Sequence, residues 1–176
     1  MRWTLPALAA ACASLLVCAA PARAQTAYEH PTLHFTFEFP KGWKAGPQNS
    51  SGGQSAEAPK GGAVLTASGG PNTSGAAQPA DWFDSEMKAA KARYPSLRVL
   101  GKRYITIGTR RGMRFDYAYR DPARRGLAMR AWRIVIVDPA GVDEVAFEAP
   151  GRVYKRDTKT AEAALRTWKP AFGSAP

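Results

Sequence analysis

Leu33-His34-Phe35-Thr36-Phe37-Glu38-Phe39, running into Pro40-Lys41-Gly42-Trp43, is the stretch on which the fold turns. Apolar and polar residues alternate with period two, so Leu33, Phe35, Phe37 and Phe39 share one face of a strand. Pro40 and Gly42 then turn the chain and deliver Trp43.

Downstream, residues 46–62 are mostly Gly, Ser, Pro, Gln and Ala and read as a mobile loop. A short strand near Ala63–Ala67 follows, then a second loop over 69–78. Phe83, Met87, Ala90 and Tyr94 recur at helical spacing, with Asp81 as the expected cap, Asp84 in the first turn and Pro95 as the stop. Four strands are expected next, near 102–108, 112–120, 127–137 and 142–148. Asp138-Pro139-Ala140-Gly141 has the residue order of a type I turn. A last helix, capped by Asp157 or Thr158, turns Ala161, Ala164, Leu165 and Trp168 to one side and stops at Pro170, leaving a frayed tail over 170–176. Antiparallel strands with a central and a terminal amphipathic helix predict an α+β domain, helices packed on an antiparallel sheet. Ile134-Val135-Ile136-Val137 is apolar on both faces and predicts a central strand covered on both sides.

Upstream, Met1 and Arg2 precede a run of Ala, Leu, Val and Cys from Leu5 to Ala20, and Ala22-Arg23-Ala24 places small residues where a signal peptidase reads them. Residues 1–24 are therefore expected to be a signal peptide cleaved before Gln25, giving a periplasmic or secreted domain over 25–176. The alternative is a lipoprotein modified at Cys18, against which Val17 is too large for the position before the cysteine. Cys12 and Cys18 both lie in the segment to be removed, so the mature domain is expected to have no disulfide and no thiolate site. No second apolar stretch is long enough to span a bilayer. Losing Arg2 and Arg23 lowers the formal charge of +11 by two. The remaining excess favours anionic partners, an acidic envelope protein or an anionic surface. The domain carries no nucleic-acid-binding motif.

Phe35-x-Phe37-x-Phe39-Pro40-x-Gly42-Trp43, the helix at 81–94 after a Gly-rich loop, Gly112-Met113-Arg114-Phe115-Asp116-Tyr117 and the closing Asp157-Thr158 helix occur in an order that resembles the PsbP/Mog1-like superfamily. That resemblance implies an αβα sandwich around an antiparallel sheet and a non-catalytic accessory role. Relatives assist photosystem assembly, bind a small GTPase, act as effector chaperones or sit in the bacterial envelope as DcrB-like proteins. Such divergent roles mean that fold alone does not select a function.

The catalytic inventory is sparse. There is no Gly-x-Ser-x-Gly and no phosphate loop, and no cofactor is expected. His30 and His34 would stand roughly 13 Å apart on an extended chain, too far to share an ion, and read as two surface histidines. Asp143 and Glu144 point to opposite faces of a strand. If the hairpin closes about Ala123, Asp116 faces Arg130 and Arg114 faces Trp132, giving a cross-strand ion pair and a cation–π contact. Asp116 and Arg130 are thus candidate binding residues, with a register-fixing pair as the alternative. Arg110-Arg111 and Arg124-Arg125 are candidates at two hairpin tips, which a meander places at opposite ends of the sheet. The expected function is an exported, non-catalytic binding or assembly factor of the cell envelope. A carrier of a small apolar ligand or lipid is the alternative, and a hydrolase would need a deep pocket lined by convergent carboxylates.

Overall fold

Period-two alternation continues through most of the second half of the chain, and a broad sheet results. The computed structural model describes residues 26–172. The expected signal peptide, Cys18, the Gln25 terminus and residues 173–176 lie outside them. Seven antiparallel strands stand in the order β3 (Lys44–Ala45), β4 (Gln54–Glu57), β5 (Val64–Pro71), β9 (Gly141–Pro150), β8 (Leu127–Asp138), β7 (Arg110–Asp121) and β6 (Arg98–Ile107). A separate ribbon pairs β1 (Thr26–Glu29) with β2 (Thr36–Phe39). Helix α1 spans Pro79–Arg93 and α2 spans Gly151–Ala164. The fold is α+β.

The sheet is the middle layer. On one face α2 and the ribbon bury Phe35, Phe37, Phe39, Ala161 and Trp168 against Trp132, Ile134, Ile136 and Phe147. On the other, α1 buries Phe83 and Met87 against Phe115, Val135 and Val137. Phe83 stacks on Phe115 at 3.9 Å between ring centroids. The Ile134–Val137 run lies inside the sheet and alternates between these two cores, as its two-sided apolarity predicts. Trp43 is buried, its N–H donating to the Pro40 carbonyl across a turn in which Gly42 takes a φ of +83°.

Several boundaries differ from expectation. The strand expected over 33–39 begins only at Thr36, as β2, because His34, with φ +57°, breaks the extended run. Its ribbon also stands apart from the main sheet. Gln54–Glu57, inside the stretch read as loop, forms β4, and the following strand continues to Pro71. Helix α1 starts at Pro79 after Gln78, so Asp81 occupies the first turn instead of capping it, and Asp84 lies beyond that turn. Helix α2 starts at Gly151, directly after β9, which puts Asp157 and Thr158 in mid-helix. There Thr158 Oγ1 accepts the indole N–H of Trp132 at 3.1 Å. Leu165 is only half-buried.

The tail is tied down as far as Phe172. Thr36 and Lys169 exchange backbone hydrogen bonds, and the amides of Ala171 and Phe172 both donate to Oδ2 of the fully buried Asp143. Phe172 packs where a side chain at Gly141 would collide with its ring. Only His34 is a surface histidine. His30 is buried; its Nδ1 accepts the amides of Thr32 and Leu33, which leaves Nε2 to donate to the Ser51 carbonyl at 3.1 Å.

Candidate functional site

The β7–β8 connection decides which charged residues meet. Pro122–Arg124 forms one 3-10 turn, Arg125 takes a left-handed φ of +53°, and Asp121 pairs with Leu127. Symmetry about Ala123 is therefore wrong. Asp116 lies opposite Trp132, Arg130 opposite Ala118 and Arg114 opposite Ile134. The structure does not bring Asp116 and Arg130 together.

Asp116 instead accepts from Arg114 at 2.8 Å and from Arg103 at 3.2 Å, while Arg114 also reaches Glu162 of α2 at 2.6 Å. Burial works against the Arg114 charge, but the two carboxylates outweigh it and hold the guanidinium above its ordinary pKa. Arg114 does lie over the Trp132 ring, 5.2 Å from its centroid, as a diagonal neighbour. This network clamps α2 to the sheet. A clamp with its charges internally matched has little left for a ligand.

Arg130 takes part in a different arrangement. Arg98, Ala118 and Arg130 lie side by side across β6, β7 and β8, and Arg120 stands opposite Ala128 on the same face. Each alanine leaves room beside a long cation, and the row opens into a groove of about 570 Å³. Leu100, Ala118 and Ala128 add apolar lining, whereas Tyr119 and Met129 turn their side chains away into the α1-side core; Ser96 and Gly151 also line the groove. Arg120 donates to the Gly126 carbonyl at 3.2 Å, and Arg130 lies over the Tyr154 ring at 5.1 Å. Among the described residues none of these three arginines has a carboxylate partner. A groove of unneutralised guanidinium groups over an apolar floor can hold a carboxylate-bearing chain through bidentate hydrogen bonds.

Of the two doublets, Arg124 and Arg125 are exposed at their tip, with Arg124 3.3 Å from Asp121. The other tip is Gly108-Thr109, so Arg110 and Arg111 are the first residues of β7. Arg110 is half-buried, and Arg111 stacks on Tyr104 at 3.9 Å. The groove adjoins the 122–126 tip through the bond from Arg120 to Gly126.

On the α1 face, Glu86 and Glu144 line a second, smaller cavity of about 250 Å³ beside Trp82, Ser68 and Thr73. Both carboxylates reach one guanidinium, Arg133, at 3.6 and 3.1 Å; the closer contact is ionic, without hydrogen-bond alignment. Burial raises the Glu144 pKa; Arg133 pulls it down, and Glu86 and Glu148 push it up. One cation shared by three acids keeps its own charge while leaving Glu144 under-compensated. Asp143, next in sequence, faces the opposite core, and the two acids form no pair.

No protein-family model matches the sequence, and no curated protein matches it. The fold is similar to the cyanobacterial PsbP (CyanoP) of Synechocystis sp. PCC 6803, with a TM-score of 0.62, 8% identity, and coverage of 92% of this chain and 98% of that one. It is also similar to the Ran-binding protein Mog1p of Saccharomyces cerevisiae, with a TM-score of 0.58, 7% identity, and coverage of 85% and 96%. LpqN of Mycobacterium tuberculosis, involved in cell envelope biogenesis, matches with a TM-score of 0.52, 15% identity, and coverage of 84% and 91%. At such identities the likeness is one of architecture: the chain shares the α+β fold of these PsbP and Mog1p structures.

Proposed function

We propose that this protein is an exported, non-catalytic binding or assembly factor of the cell envelope that holds an acidic protein partner in its arginine-lined groove. The observation that carries the reading is the set Arg98, Arg120 and Arg130, drawn from three strands onto one face with no carboxylate among them. Arginine walls favour an anionic occupant over a purely apolar one, and the paired Glu86 and Glu144 leave no free acid–base couple in their cavity. The envelope assignment rests on Met1–Ala24 as a cleaved signal peptide. The nearby tip makes Arg124 and Arg125, not Arg110 and Arg111, the doublet that assists docking.

The test is capture from the native envelope with wild type and with R120E/R130E as bait. Partners that are retained by wild type and by R110E/R111E, released by moderate salt and absent with R120E/R130E support the reading. Equal capture by all three baits overturns it. Retention on anionic vesicles without any co-purifying protein would replace the protein partner by a lipid surface. Intact-mass measurement of the exported protein checks the compartment: a Gln25 terminus is expected, and a diacylglycerol-modified Cys18 would show a lipoprotein.

A further inference from the structure

Among the described residues the exposed large hydrophobic side chains are Val99, Leu100 and Tyr104, and all three lie on β6. This strand ends the seven-stranded order and pairs only with β7, so one side of its ten-residue backbone is open. The opposite edge is protected by brevity, β3 being two residues long. Long open edges are templates for strand addition.

The charges on β6 indicate what fits there. Arg98, Lys102 and Arg103 are exposed, and the strand has no acidic residue. Pairing β6 with β6 of a second copy would set cations against cations, which is unfavourable across a ladder. An acidic strand meets no such repulsion. The two faces differ as well. Arg98 and Arg103 stand on the groove side, where Arg103 is paired with Asp116, while Val99, Lys102 and Tyr104 stand on the other. At Leu100 the register slips by one residue, and this bulge turns a side chain 48% exposed into the groove lining. Regular pairing is thus available from Gly101 to Ile107, and the chain beyond the bulge is led toward Arg98, Arg120 and Arg130.

We infer that β6 is a docking edge for an extended segment of a partner protein in which acidic and apolar residues alternate, the acidic face turned to the groove and the apolar face to Val99 and Tyr104. This rests on the groove reading above and adds backbone pairing to it.

The probe is a fluorescent ten-residue peptide of alternating glutamate and valine, titrated against the purified protein by anisotropy. Two further peptides carry N-methyl groups on alternate amides, one in each parity, and another is a glutamate peptide of equal charge. Strand addition predicts that one N-methyl parity abolishes binding while the other retains it. It also predicts that V99E/Y104E, at exposed positions, weakens binding by about tenfold, the scale of two lost cross-strand contacts. Binding that is indifferent to both parities but lost in R120E/R130E overturns strand addition and leaves the groove reading standing. Binding indifferent to R120E/R130E but sensitive to one parity supports the edge and removes the groove. No binding of the alternating peptide overturns the inference, as does a stable dimer of the protein that V99E/Y104E dissolves.

Discussion

Arg130 and Arg133 stand three residues apart on one strand and face opposite sides of the sheet. Arg133 is enclosed by Glu86 and Glu144, with Trp82 stacked nearby at 5.8 Å. Arg130 is exposed, faces an open groove and has only an aromatic ring beside it. The contrast teaches that the role of an arginine here is set by whether folding supplies its counter-charge. A half-buried cation enclosed by its acids is part of the fold, and an open one without them has binding capacity to spare.

The contrast can be broken most forcefully at Arg133. Arg133→Met leaves the half-buried Glu144 without its cation and should cost about 1–3 kcal/mol in urea denaturation at neutral pH. The loss should shrink on acidification. Burial already raises the folded-state pKa of Glu144, so its contribution is fully present below the unfolded carboxylate pKa and is lost as pH rises through the folded value. A deficit equally large in acid would show that the charge pair is not its cause. Glu144→Gln in the native background removes that titration. Relative to wild type it should be favoured most at neutral pH and progressively less toward pH about 4, and a difference independent of pH would refute the assigned shift.

Next in size is the groove. R120E/R130E should change stability by less than about 1 kcal/mol, because exposed charges contribute little to folding, while acidic partners are lost. Unfolding of this variant would mean that the groove arginines are structural after all. The smallest effect belongs to the tip. R124E/R125E breaks only the 3.3 Å contact of the exposed Arg124 with the buried Asp121 and should stay within about 1 kcal/mol of wild type by thermal melting, with weaker partner capture as its readout.

Much of the fold was legible where one period dominates. Phe35, Phe37 and Phe39 alternate, Asp138-Pro139-Ala140-Gly141 spells its own turn, and Ile134–Val137 has no polar face. Gln54–Glu57 was illegible because it holds no β-branched or aromatic residue and earns its place only by pairing with β5. The start of α2 was hidden because Pro150-Gly151 looks like a break, whereas Pro150 ends a strand with an extended ψ of 138° and the helix follows at once. The candidate site was half legible. Arg130 was singled out, but its proposed partner depended on a register that one 3-10 turn displaces. Arg98 and Arg120 escaped notice because they are distant in sequence and become neighbours only through strand order, which local pattern does not encode.

The stitch between Thr36 and Lys169 has a consequence in time. A chain that emerges amino end first presents Phe35, Phe37 and Phe39 early, yet the segment that completes their layer, with Trp168, comes almost last. Contacts of such long sequence separation form late, after the loop between them has been closed. During that interval the aromatic ribbon is an apolar surface without its cover, open to any holding factor that meets the nascent chain. The order of emergence thus makes the ribbon the last layer to settle, although it is the first to appear.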